Sequence, residues 1–252
     1  MPLVDLSAPI EQSPPDAPEA LRTDIAFQDH AGGAAAVQAL FGLPSHLLRD
    51  GEGWATETFT RFGTHNSTHL DAPWHYNSTI RGERAQTIDE LPLEWFFGDG
   101  VVLDMTAKAD GEAVDVSDVE AELERIGHRL EERDIVLVHT GRDAHYADPG
   151  YMALGPGVTA AATRWLWERG VRVVGIDAWG WDRPLWMQAQ EAIERDEPGI
   201  FWAAHQADLP YCQIERLVNL GSLPPTGFQV ACFPLRIVGA SAAPARVVAI
   251  TP

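Results

Sequence analysis

The chain has 252 residues, 45% of them hydrophobic and nine of them tryptophan, enough to build the core of one large α/β domain spanning residues 1–252. A formal charge of −19 excludes nucleic acid and anionic membrane surfaces as partners, because both would repel it. Two cysteines, Cys212 and Cys232, are too few for a disulfide framework and fit a reducing compartment, the cytoplasm.

No run of 18 uncharged apolar residues occurs, so no membrane span is expected, and the start MPLVDLSAPIEQSPP lacks the features of a signal peptide. Val4 to Ser7 reads as a short strand, followed by a Pro-rich loop from Ser13 to Pro18. The stretch HAGGAAAVQALFGLP predicts a helix ending near Gly42. His30 and His46 have no partners in sequence and read as surface or capping residues. From Trp54 to Phe62, threonines and aromatics at period two predict a strand.

That strand leads into His65-Asn66-Ser67-Thr68-His69-Leu70-Asp71-Ala72-Pro73-Trp74-His75, where four candidate metal ligands crowd one segment. Imidazoles and a carboxylate are the donor set of zinc or manganese. One turn or bulge would bring the rings of His65 and His69 within about 6 Å. His69 and Asp71 share a face if the chain is extended. A straight strand from His65 to His75 would run about 33 Å, so the segment must bend to serve one ion. Pro73 biases Ala72 toward extended geometry. A solvated His-rich loop is the alternative, and the interleaved apolar residues argue against it.

The polar stretch after His75 reads as a loop that can cover the site. Beyond it, Val101–Asp104, Ile135–His139 and Val171–Ile176 are short apolar strands. Between them lie helices capped by Ser117 and Thr159, the second stopping at Gly170. This β-α-β-α-β order predicts an α/β fold with a mixed, partly parallel sheet or barrel-like core flanked by helices. His128, on the first helix, and His139 read as structural. Asp177 and AWGWDRP follow a parallel strand's carboxyl end, where crevices form, so Trp179 and Trp181 are candidates for pocket or core alike. Residues 182–200 look helical, and Phe228–Val238 and Arg246–Ile250 read as closing strands. His205 and Glu215 are further candidate ligands, weak by themselves. No nucleotide-binding glycine loop occurs in a strand–turn–helix context, and Lys108, the only lysine, argues against Schiff-base chemistry.

The segment from His65 to His75 resembles the H-x-G-T-H-x-D-x-P-x-H signature of the cyclase-type metal hydrolases, the family of bacterial kynurenine formamidase and isatin hydrolase. Ser67 departs from it, standing where glycine is usual. Asp5-Leu6-Ser7-Ala8-Pro9-Ile10 matches the family's D-L-S-x-P-I. Glu215, Val218-Asn219-Leu220 and Leu223-Pro224 resemble its later pattern, with a somewhat short spacing from His205. The resemblance covers nearly the whole chain.

It implies that His65, His69 and Asp71 surround one divalent metal, zinc or manganese. Asp71 would bridge to a second ion held by His205 and Glu215, giving one or two ions per chain, with His75 as acid/base. It also implies a homodimer or homotetramer. The expected activity is hydrolysis of a C–N amide bond, linear or in a lactam, of a small aromatic or apolar molecule. The absence of a G-x-S-x-G elbow supports water as the attacking group. Arg61 or Arg183 would suit a substrate carboxylate. The alternatives are a metal-dependent cyclase or dehydratase using the same ligands, and a non-catalytic metal-dependent binding protein, in which His75 has no purpose.

Overall fold

The computed structural model describes residues 1–15, 17 and 19–252. They form two compact units, one of Met1–Pro9 with Ser67–Pro252 and the other of Ile10–Asn66.

The larger unit is built on a nine-stranded mixed sheet in the order Leu3–Asp5, Val248–Ile250, Phe228–Ala231, Phe97–Asp104, Ile135–His139, Val173–Ile176, Cys212–Glu215, His69–Asp71, Ala242–Pro244. The four middle strands, from Phe97–Asp104 to Cys212–Glu215, run parallel, and the outer ones pair antiparallel. Strands buried on both faces need no polar side, which is why Ile135–His139 is almost continuously apolar. Its residues still alternate: Val136 and Val138 enter one core, Ile135 and Leu137 the other. The first core holds Trp181, Tyr76 and Tyr211 beneath the helices; the second holds Leu6, Leu70, Ile214 and Phe228.

The crossover helices Val116–Ile126 and Ala160–Glu168 lie where the pattern placed them. Thr159 caps the second, accepting from Ala162 N. The first is capped by Asp115 rather than Ser117, in a reciprocal box with Asp118, because a carboxylate at that position satisfies the free N–H groups of the first turn. It ends at left-handed Gly127, which leaves His128 beyond the helix, paired with Asp134 at 2.9 Å. Leu185–Arg195 is the third long helix. The closing strands are shorter than expected: Phe228–Ala231 stops before Pro234, and Ala242–Pro244 and Val248–Ile250 follow. Within the polar stretch after His75, Thr79–Ile80 pairs with Glu83–Arg84.

In the smaller unit, helix His30–Phe41 ends at left-handed Gly42 as expected. Gly33 is required there, since a Cβ would lie 1.8 Å from the carbonyl oxygen of Trp54. Thr56–Arg61 is a strand, but among the described residues it pairs only with Asp24–Gln28, and every residue in it is exposed. Its period-two pattern therefore marks a two-stranded ribbon and not a half-buried strand of the main sheet. Asp16 and Pro18, in the predicted Pro-rich loop, lie outside the described residues. Among the described residues no helix is long and apolar enough to cross a membrane.

Candidate metal centre

His69 and Asp71 are alternate residues of one strand, and Glu215 ends the strand paired with it, so all three project to the same side of the sheet. Glu215 sits opposite His69 in the register. Thr68 fastens this pair of strands from behind: its Oγ1 donates to Arg216 O at 2.6 Å and accepts from Ala8 N at 2.9 Å.

The donor atoms are spaced as around cations. His69 Nε2 lies 3.3 Å from Asp71 Oδ1 and 3.7 Å from Glu215 Oε2. His205 Nε2 lies 3.4 Å from Glu215 Oε1 and 3.9 Å from Asp71 Oδ2. Each carboxylate thus turns one oxygen toward His69 and the other toward His205. Donors about 2.1 Å from a tetrahedral ion are about 3.4 Å apart, so these separations fit shared ligation. His69, Asp71 and Glu215 are all buried, with ligand atoms within 4.8 Å of one another. Two carboxylates facing two imidazoles in a water-poor site need positive charge between them. The residues present therefore fit one or two divalent ions.

The second ring nitrogen of each histidine is occupied. His69 Nδ1 is 2.9 Å from Ser67 O, and His205 Nδ1 is 2.5 Å from Asp182 Oδ2. A proton held on Nδ1 leaves Nε2 to face the cluster. Burial works against charge on His205, but the hydrogen bonds and fields of Asp182 and Glu215 outweigh it and push its pKa up to about 10 in the metal-free protein. Asp182 was not singled out in the sequence. Its signal there was only a carboxylate in the loop after a parallel strand.

His75 is as near to Asp71 as His205 is, and the family resemblance rather than distance gives it the acid/base role. It lies on the single turn Pro73–Tyr76, started by Pro73 at the first helical position, with Nε2 3.9 Å from Asp71 Oδ2. Trp202, also missed, stands edge-on to the His75 ring at 4.9 Å and stacks on His205 at 4.4 Å. Of the other tryptophans, Trp181 is fully buried core, its indole donating to Thr163 Oγ1 at 2.9 Å. Trp179 lies beneath the Arg216 guanidinium at 3.6 Å, and Trp74 is largely exposed. Arg183 and Arg61, suggested for a substrate carboxylate, pair with Glu191 and Glu19 at 2.6 and 2.9 Å.

Tyr76 and Tyr211 pack behind the site, their rings 5.1 Å apart, and burial pushes both hydroxyls well above their ordinary value. Cys212 lies on the opposite side of its strand from Glu215, in the core with Ile214, and burial pushes its thiol up. It is no ligand. His65 is half-buried in the smaller unit. His139 ends its strand 3.9 Å from Asp177, which accepts from Thr140 N and Gly141 N and so holds a loop.

A family model described as "Putative cyclase" matches residues 4–183. A kynurenine formamidase from Salinibacter ruber is 32% identical over 192 residues, covering 75% of this chain and 76% of that protein. A kynurenine formamidase from Maricaulis maris is 29% identical over 187 residues, covering 73% and 76%. Among solved structures, isatin hydrolase A from Ralstonia solanacearum is similar with TM-score 0.72 and 24% identity, over 100% of this chain and 92% of that one. Isatin hydrolase A from Labrenzia aggregata, bound to benzyl benzoate, gives 0.71 and 23%, over 99% and 93%. At these identities the structural likeness establishes the fold. The family model and the first relative close the question of kinship: the chain belongs to the putative cyclase family.

Proposed function

We propose that this protein is a metal-dependent hydrolase that cleaves a non-peptide C–N amide bond, linear or in a lactam, of a small aromatic molecule. The observation that carries this is the buried set His69, Asp71 and Glu215, whose ligand atoms converge within 4.8 Å. The kynurenine formamidase relatives support the same reaction class.

His65 joins His69 and Asp71 as a ligand on the strength of the motif. Asp71 and Glu215 would be shared with a second position served by His205, and zinc or manganese would suit the mixed donors. A divalent cation among such ligands lowers the pKa of a water from about 15.7 to about 7 and polarises a carbonyl oxygen. In the reaction the acyl carbon gains the water's oxygen and the C–N bond breaks. His75 carries the proton to the departing nitrogen, a contribution of about 10²–10⁴-fold. Its Nε2 lies 3.9 Å from Asp71 Oδ2, beside the proposed ions. The Trp202 edge against His75 offers an aromatic surface beside the scissile bond.

A cytoplasmic location fits the two free, buried thiols. A homodimer or homotetramer fits the exposed Leu93, Phe97, Phe233 and Leu235, and light scattering would check it.

The test is turnover of formanilide and isatin-type lactam probes by protein loaded with zinc or manganese. Metal-dependent release of formate or of ring-opened acid is expected. Failure to hydrolyse any probe favours the cyclase or dehydratase reading, and binding without turnover favours a binding protein.

A further inference from the structure

His205 differs from the other ligands in how it is held. His69 and Glu215 sit on hydrogen-bonded strands, whereas residues 201–206 belong to a run of turns outside any helix or strand. A ligand on such a segment needs an anchor from elsewhere, and Asp182 supplies it. One buried carboxylate takes three donors from this segment: Ala204 N to Oδ1 at 2.9 Å, His205 N to Oδ2 at 3.1 Å, and His205 Nδ1 to Oδ2 at 2.5 Å. Asp182 and His205 are 8% and 3% exposed, so water cannot replace these bonds cheaply.

Asp182 is fixed in its turn. The preceding residue, Trp181, donates its N–H to Glu215 Oε1 at 3.1 Å and accepts from Val158 N at 2.8 Å. On the other side of the ring, Trp202 stacks on His205 with its planes 20° apart, and Trp202 N donates to Gln188 Oε1 at 2.7 Å. The imidazole is thus covered on one face and tied at Nδ1, and its Nε2 is turned to Glu215 and Asp71. We infer that Asp182 is the positioning residue that creates the second ion position: it sets both the tautomer and the aim of His205. This rests on the two-ion reading above.

The chemistry is that of a carboxylate behind a ligating histidine. It accepts the Nδ1 proton, keeps the Nε2 lone pair outward and adds negative charge near the cation. Asparagine cannot do the same. Its amide must set an N–H group against either Ala204 N–H or the His205 side, so one donor always loses its acceptor.

The experiment is a Co²⁺ titration of metal-free protein, followed by d–d absorbance and elemental analysis, for wild type, Asp182→Asn, Asp182→Glu and His205→Ala. Wild type is expected to take up two equivalents. In Asp182→Asn the first equivalent is expected to bind unchanged and the second to weaken by about 10- to 100-fold. Asp182→Glu, which keeps the charged acceptor, is expected to recover part of that loss. His205→Ala should lose the second equivalent altogether. If His205→Ala still binds two, the two-ion reading itself fails. If His205→Ala loses one while Asp182→Asn binds both as tightly as wild type, only the role of Asp182 is overturned. Equal weakening of both equivalents in Asp182→Asn and in Asp182→Glu would also overturn it, because that is the signature of a merely structural residue.

Discussion

Glu215 and His69 face each other across an antiparallel pair of strands, and Oε2 of one lies 3.7 Å from Nε2 of the other. The sheet's own hydrogen-bond ladder sets the register that brings these two residues together before any ion arrives. Removing one member leaves buried carboxylates facing each other. His69→Ala is expected to abolish both metal retention after desalting and turnover, read by elemental analysis and formate release. Retention of stoichiometric metal by this variant would sink its assignment as a ligand.

If His75 carries the proton and does not hold the ion, its loss should separate binding from chemistry. His75→Ala is expected to keep wild-type metal content while kcat falls about 10²–10⁴-fold. Unchanged kcat would remove His75 from the proton-carrying role.

Ser67 occupies the glycine position of the family signature at φ +58, a left-handed conformation that costs an L-residue about 1–2 kcal/mol. Its hydroxyl compensates by sharing its one proton between the carbonyls of Ala8 at 2.9 Å and Pro9 at 3.1 Å. Ser67→Gly trades these bonds for backbone ease and should change stability by no more than about 1 kcal/mol. Ser67→Ala keeps the strain, loses the bonds and should cost about 1–2 kcal/mol. Denaturant midpoints decide the order; an alanine variant as stable as wild type contradicts it.

In the stripped protein, the carboxylates around His205 overcome its burial and raise its pKa from 6.5 to about 10. The folded state therefore binds a proton that the unfolded chain releases. The stability this gives is complete below pH 6.5 and is lost as pH rises toward about 10. The melting temperature of metal-free wild type should fall across that window more steeply than that of metal-free His205→Ala. Parallel curves would contradict the shift. Ion uptake near pH 8 should also release a proton, measurable by calorimetry in buffers of different ionisation enthalpy.

Gly157 has no room for a side chain: a Cβ there would lie 1.9 Å from Arg183 N and 2.2 Å from the carbonyl carbon of Asp182. Gly157→Ala must push the 182–183 backbone aside, costing about 1–3 kcal/mol. If Asp182 positions His205, this distant change should also weaken the second Co²⁺ equivalent. A destabilised variant with two unaltered equivalents would show that the loop tolerates the shift.

Much of this was legible in the residues. The density of imidazole and carboxylate from His65 to His75 announced a metal, because those side chains rarely gather for packing alone. The apolar runs around Ile135 and Val173 announced buried parallel strands, since only a strand covered on both faces can omit polar residues. Gly42 and Thr159 marked helix ends by local backbone chemistry that needs no tertiary context.

Other features had no local signature. Whether an indole such as Trp181 fills the core or Trp202 flanks the site depends on where two distant chain segments meet, and composition is silent on that. The exposed ribbon Thr56–Arg61 carried the same alternation as a half-buried strand, because period two records extended geometry and not what lies beneath it. Asp182 looked like one acid among 37 Asp and Glu residues until the fold placed His205 against it. The sequence by itself determined the donor types and the shared face of His69 and Asp71 in an extended chain, since both follow from side-chain chemistry and short-range spacing. Only the tertiary structure decided which distant residues complete the centre and hold it. Those contacts join elements far apart in the chain, and their geometry is set by the sheet register and the packed loops rather than by any neighbour in sequence.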